Sequence, residues 1–162
     1  MKEIYDPYQL TGDTEVTLGQ VAIHQEIKWQ QKMIELLTEG IELMESLENK
    51  NEALELLINL GKFIRACVKT ALNVKKFKVE TLRLQLATEL SEIHKQLDIL
   101  EKIVDEEREN VMETIPLVQR DSRLGWEPSM EYLADEEHLN WKLRQLDRVK
   151  NVEIEEYRQR AK

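Results

Sequence analysis

Apolar residues recur at helical steps through most of the chain. Ile27, Ile34, Leu37, Ile41 and Met44 follow one another at three, four or seven positions, a spacing that gathers them on one helical face. The pattern predicts a first helix from about Thr17 to Leu47. The polar run Glu48, Asn49, Lys50 and Asn51 interrupts it, and Asn51 is a residue type that caps helices by accepting a hydrogen bond from an amide of the first turn. A second helix then carries Leu54, Leu57, Ile64, Val68 and Ala71. Gly61 within it costs about 1 kcal/mol relative to Ala unless a neighbour packs close there. A helix unbroken from Asn51 to Glu113 would far exceed the usual ~8–20 residues, so a turn is predicted near Thr88 to Ser91. The third helix shows Ile93, Leu97, Leu100, Val104 and Val111 on one face. Pro116 disfavours helical geometry at Ile115, and a loop with Gly125 and Pro128 is expected from Val118 to Ala134. Asp135 opens a last helix through about Arg160. Asp135, Glu136 and Glu137 suit its positive N-terminal end, and Arg158, Arg160 and Lys162 its negative C-terminal end.

No Gly or Pro stands between Gly61 and Pro116, and the residues there are mostly strong helix formers. The fold class this implies is all-α: an antiparallel bundle of three to four long helices over residues 17–162, with an ordered loop before the last helix. Residues 1–16 read as an extended arm, since Pro7 and Gly12 break any helix. The 162 residues suffice for a core, because a chain of about 150 buries about 70% of its unfolded surface. They are too few for a (β/α)8 barrel of roughly 250 residues, and turn residues do not recur every ~8–12 positions as a sandwich requires.

Charge narrows the partners. A net charge of −9 speaks against general nucleic-acid binding, which needs surplus Lys and Arg to neutralise phosphates. Cys67, the one cysteine, forms no intramolecular disulfide, no leader-like segment opens the chain, and no apolar run nears the ~20 residues that span a bilayer. A cytoplasmic setting without membrane contact is the expectation. The charge is uneven: residues 1–61 sum to −8, 62–86 to +6 and 87–162 to −7. Within the basic segment Lys62, Arg65, Lys69, Lys76 and Arg83 share one helical face, with Thr70 and Asn73 beside it. Such a stripe suits a carboxylate, a phosphate or an acidic partner; alternatively, acidic neighbouring helices satisfy it by ion pairs of about 0–1 kcal/mol each.

The loop from Asp121 to Tyr132 carries the other candidate chemistry. Asp121 and Glu127 are acceptors for hydroxyls, Arg123 is an anion clamp, and Trp126 is a flat surface for a sugar face or a ring. Gly125 permits a positive φ that brings backbone close to a bound group. Arg65, Lys69 and Asn73 join these as candidate ligand-binding residues if the basic stripe reaches the loop. The contrary reading has Trp126 and Tyr132 packed over the bundle end and Arg123 paired with Asp121 or Glu127. Two carboxylates also suit glycoside hydrolysis, for which separations of about 5–5.5 or 6.5–9.5 Å define the mechanism; sequence supplies no distance, and no catalytic residue is assigned. His24, His94 and His138 lack ligand spacing, so no metal is expected. Without a Gly-rich phosphate cradle, no cofactor is expected either. Cys67 reads as a small core residue, and Trp29 and Trp141 as packing residues of their helices.

The segments TALNVKKF (Thr70 to Phe77), IPLVQRDSRLGWEPSMEY (Ile115 to Tyr132) and DEEHLNWKLRQ (Asp135 to Gln145) resemble the helical C-terminal region of large bacterial proteins with a glycoside-hydrolase-like barrel, grouped near α-glucuronidases and hexosaminidases. The resemblance runs from about Ile58 onward. It implies a helical region that packs on a barrel and borders its active-site mouth, although this chain has no barrel. The chain would then be an isolated domain, a fragment, or the partner of a separately encoded catalytic barrel, and not a complete hydrolase.

The expectation is therefore a carbohydrate-associated helical accessory domain, not catalytic alone, whose 121–132 loop meets a sugar or sugar acid or packs on a hydrolase barrel. The alternative is a structural or protein-interaction bundle without ligand, whose apolar faces form a homodimer or dock on a protein partner.

Overall fold

The computed structural model describes residues 18–127 and 132–161, with side chains over 22–126 and 134–161; the expected arm over 1–16 and Pro128 lie outside the described residues. Three long helices come first: α1 (Leu18–Glu45), α2 (Glu52–Leu86) and α3 (Leu90–Arg120). Asn51 caps α2 as expected, its side chain accepting from the Leu54 amide at 2.9 Å. The turn between α2 and α3 falls at 87–89, where the pattern placed it. A two-stranded hairpin follows, β1 (Trp126–Glu127) and β2 (Tyr132–Leu133). Asp135 then caps α4 (Glu136–Arg148) by accepting from the His138 amide.

Cross-helix partners run in opposite directions along each successive pair, so the bundle is antiparallel. From α1 to α2 the partners are Glu45 with Lys62, Thr38 with Arg65, and Glu26 with Lys75. From α2 to α3 they are Glu55 with Arg120, Asn59 with the Leu117 carbonyl, and Asn73 with Glu107. From α3 to the last helix they are Arg108 with Asp147, Asp105 with Lys150, and Asp98 with Arg158.

The core lies among α2, α3 and the last helix. One cluster joins Phe77, Leu84, Leu97, Leu100, Ile103, Val104, Val149 and Ile154, and a second joins Phe63, Val111, Val118, Ala134 and Leu139. Thus Leu97, Leu100, Val104 and Val111 of the expected α3 stripe are buried, with Ile93 partly buried at its edge. On α2 the expected stripe is not the core face: Leu57 and Ile64 are exposed, and the buried face carries Ile58, Phe63, Ala66, Leu72, Phe77 and Leu84. A helix with neighbours on two sides has two apolar faces, and one periodic series captures only one of them. The α1 stripe does meet α2, with Ile41 buried and opposite Gly61. A Cβ built on Gly61 would stand 3.3 Å from Ile41 Cγ1, so the close neighbour that offsets this glycine's helix cost is present.

Three boundaries differ from the sequence expectation. α3 runs through Pro116 to Arg120 instead of ending before Val118. Proline removes one backbone donor and strains the preceding turn, but tertiary contacts hold the turn beyond it. Val118 is buried, Asn59 Nδ2 donates to the Leu117 carbonyl at 3.0 Å, and Arg120 pairs with Glu55. The expected loop over Val118 to Ala134 thereby shrinks and contains the hairpin, in which Trp126 pairs with Leu133 and Glu127 with Tyr132. The last helix is not uniform: a π-helical turn at Val149–Ile154 separates α4 from α5 (Glu155–Arg160). Val149 and Ile154 are both buried in the first core cluster. Residues five apart diverge on an α-helix of 3.6 residues per turn, and the wider π turn brings both inward.

Candidate functional site

The 121–134 segment is held by its own polar groups. Asp121 accepts from the Arg123 amide at 3.1 Å and from Arg123 Nε and Nη2, each at 2.8 Å. These bonds, led by those from the guanidinium, hold the Asp121 carboxyl down at about 2, against an ordinary 3.8. Gly125 adopts φ 72°, and its carbonyl accepts from the Ala134 amide at 2.7 Å. The positive φ expected of Gly125 is present, but what it approaches is the chain itself: a Cβ there would lie 2.8 Å from Ala134 Cβ. The Asp121–Arg123 pairing weighed as a structural role is thus the one observed. Trp126 does not pack over the bundle end; its residue is 62% exposed. Of Glu127 only the backbone, in β1, is described, and its side chain lies outside the described residues, as does that of Tyr132.

Between this segment and the start of α2 lies an open groove of about 450 Å³, lined by Ala53, Leu56, Leu57, Leu60, Asp121, Arg123 and Leu124. Its walls are mainly leucine. The two charged residues at its edge already satisfy each other, so the groove favours an apolar occupant over one rich in hydroxyls.

The basic stripe is turned elsewhere. Lys62 pairs with Glu45 of α1, Lys69 and Lys76 with Glu113 and Glu106 of α3, and Arg83 with Glu80 of its own helix. Arg65 donates to Thr38 Oγ1 at 3.4 Å. The stripe therefore fills the valley between α1 and α3, as expected of ion pairs across a bundle. Asn73, thirteen residues past Leu60, lies roughly 20 Å farther along α2 at 1.5 Å per residue. Arg65, Lys69 and Asn73 do not line the groove with Asp121 and Arg123.

Sequence reading missed a buried polar cluster. Glu107 is 5% exposed and accepts from Thr70 Oγ1 at 2.6 Å, Asn73 Nδ2 at 2.8 Å and Lys142 Nζ at 2.5 Å. Asn110, also buried, donates to the Ala66 carbonyl at 2.9 Å and to Thr70 Oγ1 at 3.1 Å. Every donor around the carboxylate belongs to the bundle, so the cluster fixes how α2, α3 and α4 sit against one another. The available signal was polar residues at core positions of α3, where Glu107 and Asn110 lie three and six positions past Val104.

The second omission is a face of α1. Trp29, Met33, Leu36 and Leu43 recur at steps of four, three and seven, and each is between 46 and 68% exposed; Leu47, just past the end of the helix, is 47% exposed. Trp29 and Trp141 are therefore not packing residues as expected; both are more than half exposed. On α2, Leu57, Leu60 and Ile64 are also exposed and stand on the side of the helix opposite Lys62 and Lys69. Leu57 and Leu60 also line the groove.

Among the described residues, no group of three His, Cys, Asp or Glu side chains could hold a metal ion, and no helix is long and apolar enough to cross a membrane. The architecture places the chain among all-α helical bundles. No family model, curated protein or solved structure matches it.

Proposed function

We propose that the chain is a protein-interaction module that docks a helical surface of another polypeptide on the exposed face of the α1–α2 hairpin. The reading rests on one observation: α1 carries a second apolar stripe, from Trp29 to Leu43, that is left exposed beside the face packed on α2, and Leu57 and Leu60 of α2 are exposed as well. Its 4–3 spacing is that of helix-on-helix seams. The test is the variant Leu36→Glu with Leu43→Glu. If the face serves docking, thermal unfolding stays within about 0.5 kcal/mol of the parent, as for surface substitutions, while chemical cross-links formed through this face in cells disappear. A large loss of stability would instead make these leucines part of the protomer's own core and refute the reading.

A second reading, the carbohydrate-associated accessory domain, rests on the exposed Trp126 ring beside the hairpin. In this reading the ring stacks on a sugar face, while Asp121 and Arg123 must part before either binds a hydroxyl or a carboxylate. Titration with neutral sugars, amino sugars and uronic acids, followed by tryptophan fluorescence, tests it. A saturable response abolished by Trp126→Ala supports it, and silence at millimolar ligand refutes it.

A further inference from the structure

We infer that α1 is a strap that lifts from α2 as a unit while the core built by α2, α3 and the last helix stays folded. Three observations carry this, and none depends on what docks on the exposed face. The first is where the buried groups lie. Among the described residues, Ile41 is the one buried residue of α1, whereas α3 buries ten. Neither core cluster includes a described residue of α1; both are made by α2, α3, the last helix and the segment before it. Elements with few buried contacts open at a lower free energy than the whole domain.

The second observation is the seam beneath α1. Ile58, Leu72 and Val79 of α2 are buried but belong to neither cluster. With Arg65 they recur every seven residues, which sets all four on one side of the helix, and Arg65 donates to Thr38 of α1. α1 therefore covers a side of α2 that the core does not use. Around Ile41 the covering side chains Ile27, Ile34 and Leu37 are only half-buried, so the apolar area that holds α1 down is small. The third observation is how α1 is tied. Its ion pairs to α2, Glu45 with Lys62 and Glu26 with Lys75, leave the carboxylates 43% and 53% exposed, and pairs in water contribute little. The buried carboxylate of Glu107, by contrast, ties α2 to α3 and α4. The turn that joins α1 to α2, residues 46–51, is exposed throughout, with Asn49 at φ 58°. α1 can pivot there, uncovering the seam from Ile58 to Val79 without opening either cluster. The unit that carries the exposed stripe is thus also the unit that moves.

Native-state hydrogen exchange of the full chain, followed amide by amide where rates report opening equilibria, reads the outcome. The slowest amides over 27–44 are expected to exchange at least about 100-fold faster than the slowest over 97–111. Ile41→Asp should quicken the α1 amides at least ~10-fold further and leave the α3 amides within about 2-fold of the parent. Gly61→Leu should do the same without adding a charge, because even a Cβ at this position would stand 3.3 Å from Ile41 Cγ1. Val104→Ala, in the first core cluster, should act the other way, quickening the α3 amides and leaving α1 unchanged, since α1 opens without the core. Equal protection of α1 and α3 in the parent overturns the inference. So does an Ile41→Asp or Gly61→Leu chain in which α3 loses protection together with α1, or one that fails to fold.

Discussion

Glu107 offers the sharpest test of how the bundle is held. Glu107→Ala removes the acceptor for three donors on two helices, Thr70 Oγ1, Asn73 Nδ2 and Lys142 Nζ. Lys142 is about one-third exposed and can turn its ammonium to water, whereas Asn73 is buried and cannot. An orphaned buried donor costs about 1–3 kcal/mol, and breaking a buried charged pair about 3–5. Because Lys142 escapes, the expected loss is near the overlap, about 3 kcal/mol. For a chain of this size each kcal/mol lowers Tm by about 2–4 °C, which gives a drop of about 6–12 °C. Glu107→Gln should cost less, about 2 kcal/mol, since one carboxylate oxygen becomes an amide that faces another donor. Urea denaturation measures both, with the m-value as a control for two-state behaviour. A double-mutant cycle with Asn73→Ala should show coupling of about 1 kcal/mol. A loss below 1 kcal/mol for Glu107→Ala, or strict additivity with Asn73→Ala, would refute the view that this carboxylate ties α2 to α3.

The remaining predictions concern the loop and the helix termini. Asp121 has a depressed carboxyl, about 2 against 3.8, so its contribution is complete above pH 3.8 and fades as pH falls through about 2; Trp126 fluorescence should follow that transition in the parent and lose it in Asp121→Asn. Gly125→Ala combines positive φ with a clash against Ala134 and should cost at least about 1–2 kcal/mol, read by thermal unfolding. Asn51→Ala removes the bond to the Leu54 amide and should lower stability by about 1 kcal/mol. Gly40→Ala, in open space within α1, should raise the stability of the chain by about 0.5–1 kcal/mol.

Helix existence and most helix starts were legible in the sequence, because they depend on contacts within a few residues. Asn51 and Asp135 each accept from an amide three residues on, and no tertiary neighbour is needed for that. The apolar periods of α1 and α3 likewise follow from 3.6 residues per turn. The end of α3 was not legible, since the turn after Pro116 is kept by Asn59 and Glu55, more than fifty positions away in sequence.

The candidate site divides in the same way. The sequence determined that Asp121, Arg123 and Gly125 belong to one tight segment, for their interactions span only two to nine residues. It left two outcomes open, that these groups meet a ligand or satisfy one another, and that Arg65, Lys69 and Asn73 reach the loop or turn toward α1 and α3; the tertiary contacts decide for the second in each case. Only the tertiary structure decided which apolar face of each helix is covered. Ile41 of α1 meets α2, while Leu36 and Leu43 of the same helix stay exposed, and both series have the same helical spacing. Burial depends on which neighbour stands at each side, and periodicity names the faces without naming the neighbours.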